Sequence, residues 1–161
     1  MITVIIIICF LAAAALLLFL LYRRSSLARL PEVPGEIVVC EERGVAVDEK
    51  RIRFYRYNNC MVRLTDRRIV IAQKLPFSKS AYLLRFVIEY NSTEPRVDVK
   101  AMILKGYVPA LVSAGQVTAA PDGAGAAVTI DIRHGRGGSE RVLNFKTERA
   151  GEYMRVFPNR P

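Results

Sequence analysis

The side chains able to carry out chemistry are few and scattered. His134 is the only histidine, and it sits beside the glycine-rich stretch Gly135-Arg136-Gly137-Gly138 with no acid or nucleophile tied to it by a local motif. Proton transfer needs such a partner within hydrogen-bond reach, so no catalytic residue is assigned and no enzyme is predicted. Cys9, Cys40 and Cys60 lie far apart, whereas structural metal sites draw on closely spaced Cys and His pairs. No metal or cofactor is predicted, and the cysteines read as small core residues. The glycine groups at 123–125 and 135–138 each fall between two strand-like runs. A phosphate-cradling loop leads from a strand into a helix instead, so both groups are predicted to be hairpin turns.

The strongest chemical signal is cationic. Arg outnumbers Lys 18 to 6 in a chain of net charge +9, which favours planar guanidinium forks suited to phosphate and carboxylate groups. Two clusters form the candidate lipid or partner surface: Arg51, Arg53 and Arg56 on one strand, and Arg67, Arg68, Lys74 and Lys79 along the next hairpin. The run Arg53-Phe54-Tyr55-Arg56-Tyr57 interleaves aromatics with arginines, a pattern also used on single-stranded nucleic acid. No nucleic acid is expected, because the chain reads as tethered to a membrane.

That tether is the segment from Ile2 to Tyr22, an apolar run without a charged side chain. A helix of this length reaches roughly 32 Å, against a hydrocarbon core of about 30 Å. No Lys or Arg precedes it, while Arg23, Arg24 and Arg29 follow, so it reads as a single transmembrane helix and not as a cleaved signal. Those arginines are the topology determinants: positive flanks stay inside. The expected placement is single-pass in the cell (inner) membrane, with the N-terminus outside and the C-terminal domain cytoplasmic. The expected organisation is a helix and basic flank over 1–24, a linker over 25–35, one β domain over 36–157, and a tail over 158–161.

From Glu36 onward short β-rich runs alternate with turn residues, the pattern of an antiparallel sheet or barrel. Strands are predicted over Glu36–Glu42, Arg51–Tyr57, Cys60–Leu64, Ile69–Ala72, Tyr82–Tyr90, Val97–Leu104, Gln116–Ala120, Ala126–Arg133 and Arg141–Thr147. Asn58-Asn59 is predicted to be a tight turn, since Asn tolerates left-handed backbone. Residues 105–115 give no clear pattern, and Pro109 argues against a central strand there. Glu148 to Phe157 predicts a short helix whose Tyr153, Met154 and Phe157 share a face and cap the barrel.

Within this order, Val62-Arg63-Leu64-Thr65-Asp66-Arg67-Arg68-Ile69-Val70-Ile71 resembles the L-T-D-R-R-hydrophobic hairpin of bacterial PH-like and GRAM-like domains. Gly35-Glu36 is similar to the usual approach to their first strand. The resemblance implies a mainly β (α+β) fold: a PH-like antiparallel β-barrel, partly open, with a C-terminal capping helix and no enzymatic activity. Lipid-binding members concentrate Lys and Arg around the first connection. Here Glu41, Glu42, Asp48 and Glu49 mix with Arg43 and Lys50 over that stretch. The expected function is therefore a membrane-anchored interaction module that presents this domain to a protein partner or membrane complex. The alternative is binding of anionic lipid headgroups at the inner leaflet. The expected partners are the lipid bilayer, through the N-terminal helix, together with a protein or anionic lipid.

Overall fold

The computed structural model describes residues 2–25, 30, 33–50, 54–76, 78, 80–90, 108–113, 116–132 and 140–157. The apolar run folds as α1 (Ile2–Ser25), and Val4, Phe10, Leu16 and Leu20 stand exposed around it. The expected membrane span is not supported: among the described residues no helix is long and apolar enough to cross a membrane. With the span go the single-pass placement in a cell membrane, the outside N-terminus and the cytoplasmic position of the domain. Arg23 and Arg24 lie in the last turns of α1, Arg29 lies outside the described residues, and their role as topology determinants goes with it.

Eight strands follow: β1 (Val38–Lys50), β2 (Phe54–Thr65), β3 (Arg68–Lys74), β4 (Tyr82–Tyr90), β5 (Val108–Val112), β6 (Val117–Asp122), β7 (Gly125–Ile132) and β8 (Arg141–Thr147). A second helix, α2 (Ala150–Val156), ends the fold. The strands make one curled half-barrel sheet in the order β5-β4-β3-β2-β1-β8-β7-β6. Every pairing is antiparallel except β4–β5. The β2–β3 hairpin forms as the sequence predicts, with Leu64 opposite Ile69. The predicted strand over Val97–Leu104 and the turn at 135–138 lie outside the described residues.

Two expectations fail for one reason. Asn58-Asn59 makes no hairpin turn but sits inside β2, and β1 continues through the supposed connection to Lys50. Asn59 does adopt left-handed backbone (φ +54°), and so does Gly44 (φ +79°). The pairing runs Arg43 with Met61, Val45 with Cys60, then Val47 with Tyr57. One extra residue on each strand in turn makes a pair of bulges, which bend long strands and increase their twist. The left-handed residue therefore curls the sheet instead of ending it.

The concave side is filled by Val62, Leu64, Ile71, Phe86, Ile88, Val128, Ile130 and Leu143, all buried. Tyr153 and Phe157, from α2 and the residue after it, close this core edge-on: Phe157 meets Tyr90 at 4.7 Å between ring centroids, and Tyr153 meets Phe145 at 5.8 Å. A register shift between Ile71 and Ala72 turns Leu84 out of the alternation expected for Tyr82–Tyr90. Leu84 joins Met61, Val70, Ala72 and Val87 in a second cluster, which Leu30, Val33 and Tyr82 cover. β5 is the parallel edge strand that the sequence leaves unread, and an edge accommodates Pro109.

Candidate functional site

The hairpin that carries the predicted basic surface is organised by Thr65. Its hydroxyl accepts from the amides of Arg67 and Arg68 at 3.2 and 2.9 Å, which is the local reason a Thr suits the turn. The same hydroxyl lies 2.8 Å from Glu36 Oε1. Arg68 then closes a fork on Glu36, Nε to Oε1 and Nη2 to Oε2, both at 2.6 Å. The pair is withdrawn from water, with side-chain exposures of 4% for Arg68 and 11% for Glu36. Asp66 Oδ1 accepts from the Ile37 amide at 3.0 Å, Arg67 donates to the Pro34 carbonyl at 3.1 Å, and the Tyr90 hydroxyl donates to the Thr65 carbonyl. Together these contacts clasp residues 34–37 to the β2–β3 turn and the end of β4.

Among the described residues, Arg56, Arg67, Arg68 and Lys74 do not assemble as one face. Arg68 is an internal group, and Arg67 is bound to the Pro34 carbonyl. Arg56 is exposed on β2 with Asp48 at 3.6 Å, and Lys74 is exposed at the far end of β3. Six residues separate Arg68 from Lys74, about 20 Å along a strand at ~3.3 Å per residue. Arg51, Arg53 and Lys79 lie outside the described residues, as does His134.

Sequence reasoning missed a second charged assembly at the opposite end of the sheet. Glu49 is buried and accepts from the Tyr57 hydroxyl at 2.7 Å. Arg141 approaches the other carboxylate oxygen at 3.5 Å. Arg85 lies 5.4 Å from the Tyr57 ring centroid and donates twice to Gln73 Oε1, at 3.1 and 2.8 Å. Burial, with the hydrogen bond to Glu49, pushes the Tyr57 hydroxyl up to about 12, so it stays a donor at neutral pH. The signal was available: Val45, Val47 and Glu49 share the inward face of β1 by period two.

The remaining feature is a split in the sheet. β1 pairs with β2 from Val38 to Lys50, but with β8 only over Val47–Lys50 against Phe145–Val142. Beyond Val47 the two strands part around a cleft of about 580 Å³. The Glu42 carboxylate spans it, taking the Thr147 hydroxyl on one oxygen and the Glu148 amide at 2.9 Å on the other. Lys146 pairs with Asp122 at 2.6 Å on the far wall. On the near wall burial raises the Glu41 carboxyl, but hydrogen bonds from Arg63 and Arg43 outweigh it and hold the group below the usual carboxylate range. Past Ala46 lies a hollow of about 280 Å³ floored by Ala46, Ala127 and Thr129. The Asp48 Oδ1 atom beside it is buried without a hydrogen bond.

Burial pushes the Cys40 thiol up to about 11 and the Cys60 thiol up to about 12, so both stay protonated at neutral pH. Among the described residues no group of three His, Cys, Asp or Glu side chains can hold a metal ion. Comparison with protein-family models, curated proteins and solved structures gives no match.

Proposed function

We propose that this chain is a non-enzymatic interaction module whose curled sheet serves as a docking scaffold for a protein partner. The topology supports the resemblance to PH-like domains: an antiparallel run β4-β3-β2-β1 continues into β8-β7-β6, and a terminal helix closes the core. The observation that carries the choice of partner is the commitment of Arg68 to Glu36 inside the fold. A lipid headgroup surface needs free cations converging on one face, and the described cations of this hairpin are internal or held apart. The polar cleft between β1 and β8 stays open.

The test is photo-crosslinking from positions 43 and 146 in the full chain inside its own cells. The expected outcome is one reproducible protein adduct whose purified partner binds the full chain saturably. No such partner, together with salt-sensitive binding to anionic vesicles that Arg56→Ala with Lys74→Ala abolishes, overturns the reading.

A further inference from the structure

We infer that the β1–β8 split is a strand-addition site, which receives an extended main-chain segment of a partner protein along residues 43–46. The inference rests on the protein-partner reading and deepens it. β1 is a strand whose two edges are used unequally. One edge is paired with β2 from Val38 to Lys50, while among the described residues the edge toward β8 has no ladder before Val47. A row of unpaired amides and carbonyls is a ready template for another strand, and main-chain hydrogen bonds supply the affinity in that mode of recognition.

Three features hold the split open. Glu42 bridges it by side chain to Thr147 and Glu148, in place of strand pairing. Gly44, at φ +79°, bulges β1 inside the stretch without β8 pairing, three residues before that pairing begins at Val47. Gly125 packs so closely on β8 that a Cβ there would lie 2.2 Å from the Thr147 carbonyl oxygen. That close approach belongs to the β7–β8 ladder, in which Ala126 lies opposite Thr147.

The lining selects the kind of occupant. Lys146 pairs with Asp122 and Arg43 with Glu41, while the Glu42 carboxylate is taken up by the Thr147 hydroxyl and the Glu148 amide. Gly44, Val45 and Ala46 leave the strand edge accessible. Residues 43–46 span about 13 Å, the length of four strand residues at ~3.3 Å each. Asp48, two residues beyond Ala46, has a buried oxygen without a hydrogen bond and Arg56 no nearer than 3.6 Å. The occupant is accordingly an extended segment of about four residues followed by a Lys or Arg that reaches Asp48.

The test uses random heptapeptides displayed on phage and selected on the full chain. Selected peptides are expected to carry a basic residue after a β-prone stretch and to slow hydrogen exchange at the amides of 43–46. Ala46→Trp fills the groove, and a single N-methyl group on a selected peptide removes one main-chain donor. Each is expected to weaken binding about tenfold, and the N-methyl result holds even if the Trp variant folds poorly. Asp48→Asn is expected to reduce the preference for the basic residue.

Strand addition is overturned if no peptide is selected, if selected peptides protect another face, or if N-methylation leaves affinity unchanged. It is also overturned if 43–46 become protected by concentration-dependent pairing of two copies of this chain. Should a partner crosslink at 43 or 146 while no peptide is selected along 43–46, strand addition alone falls; should both fail, the protein-partner reading falls with it.

Discussion

Two carboxylate–guanidinium pairs are buried at opposite ends of this sheet, and they are built to different standards. Arg68 meets Glu36 through a two-bond fork at 2.6 Å, with Thr65 beside it. Arg141 meets Glu49 through one contact at 3.5 Å, and a phenol, not a second guanidinium bond, completes the carboxylate. The first pair joins segments 32 residues apart in sequence and fixes how the chain enters the sheet. The second sits where the β1 and β8 ladders overlap. Burying a charge is tolerated only when its partners replace water. The contrast teaches that one end is locked and the other is merely neutralised.

That contrast can be broken experimentally, most severely at the clasp. Arg68→Ala leaves Glu36 buried and uncompensated, and the expected loss is about 3–5 kcal/mol in urea unfolding. Arg141→Met should lose less, about 1.5–3 kcal/mol, because its single long contact contributes less than a fork. A larger loss for Arg141→Met than for Arg68→Ala would reverse the ranking. Tyr57→Phe removes one hydrogen bond to a charged acceptor and should lower stability by about 1–2 kcal/mol.

The same phenol gives the comparison a pH signature. Its folded value, about 12, lies above the unbound value of 10.0. Below pH ~10 both folded and unfolded chains keep the proton, and the stabilisation is fully present. Between about pH 10 and 12 the unfolded chain releases it first, so stability falls as pH rises. Tyr57→Phe should flatten that part of the alkaline decline in a urea titration, leaving the part due to Cys40, Cys60, Tyr90 and Tyr153, which burial also raises. The smallest effect belongs to the surface: Arg56→Ala, which breaks only an exposed pair at 3.6 Å, should change stability by no more than about 0.5 kcal/mol.

What the sequence made legible was mostly local. The turn at Asp66-Arg67 was readable because the Thr65 hydroxyl bonds the amides of Arg67 and Arg68, although Asp66 reaches the distant Ile37 amide instead, and the alternation of β7 was readable because every second residue is buried. Asn59 misled because one left-handed conformation serves both a hairpin turn and a bulge, and its bulge partner Gly44 lies on another strand. Ending the first strand early hid Glu49, whose inward direction follows from Val47. Arg68 looked like a surface cation because charge carries no information about a Glu36 placed by the fold. β5 went unread because a parallel edge strand takes its pattern from a distant neighbour, β4. The apolar run gave the helix correctly, but the span, and the placement derived from it, did not survive the structure.

The clasp also settles how α1 is mechanically connected to the sheet. Leu30 and Val33 lie on the outer face, and residues 34–37 are stitched to the β2–β3 turn before β1 begins. Tension applied through α1 therefore reaches the clasp before it reaches any ladder. The packing of Leu30 and Val33 and the Arg67–Pro34 bond bear the first load, the Arg68–Glu36 fork and the Asp66–Ile37 bonds the next, and β1 feels it only after they part. The junction acts as a strain relief that leaves the two edges of β1 undisturbed.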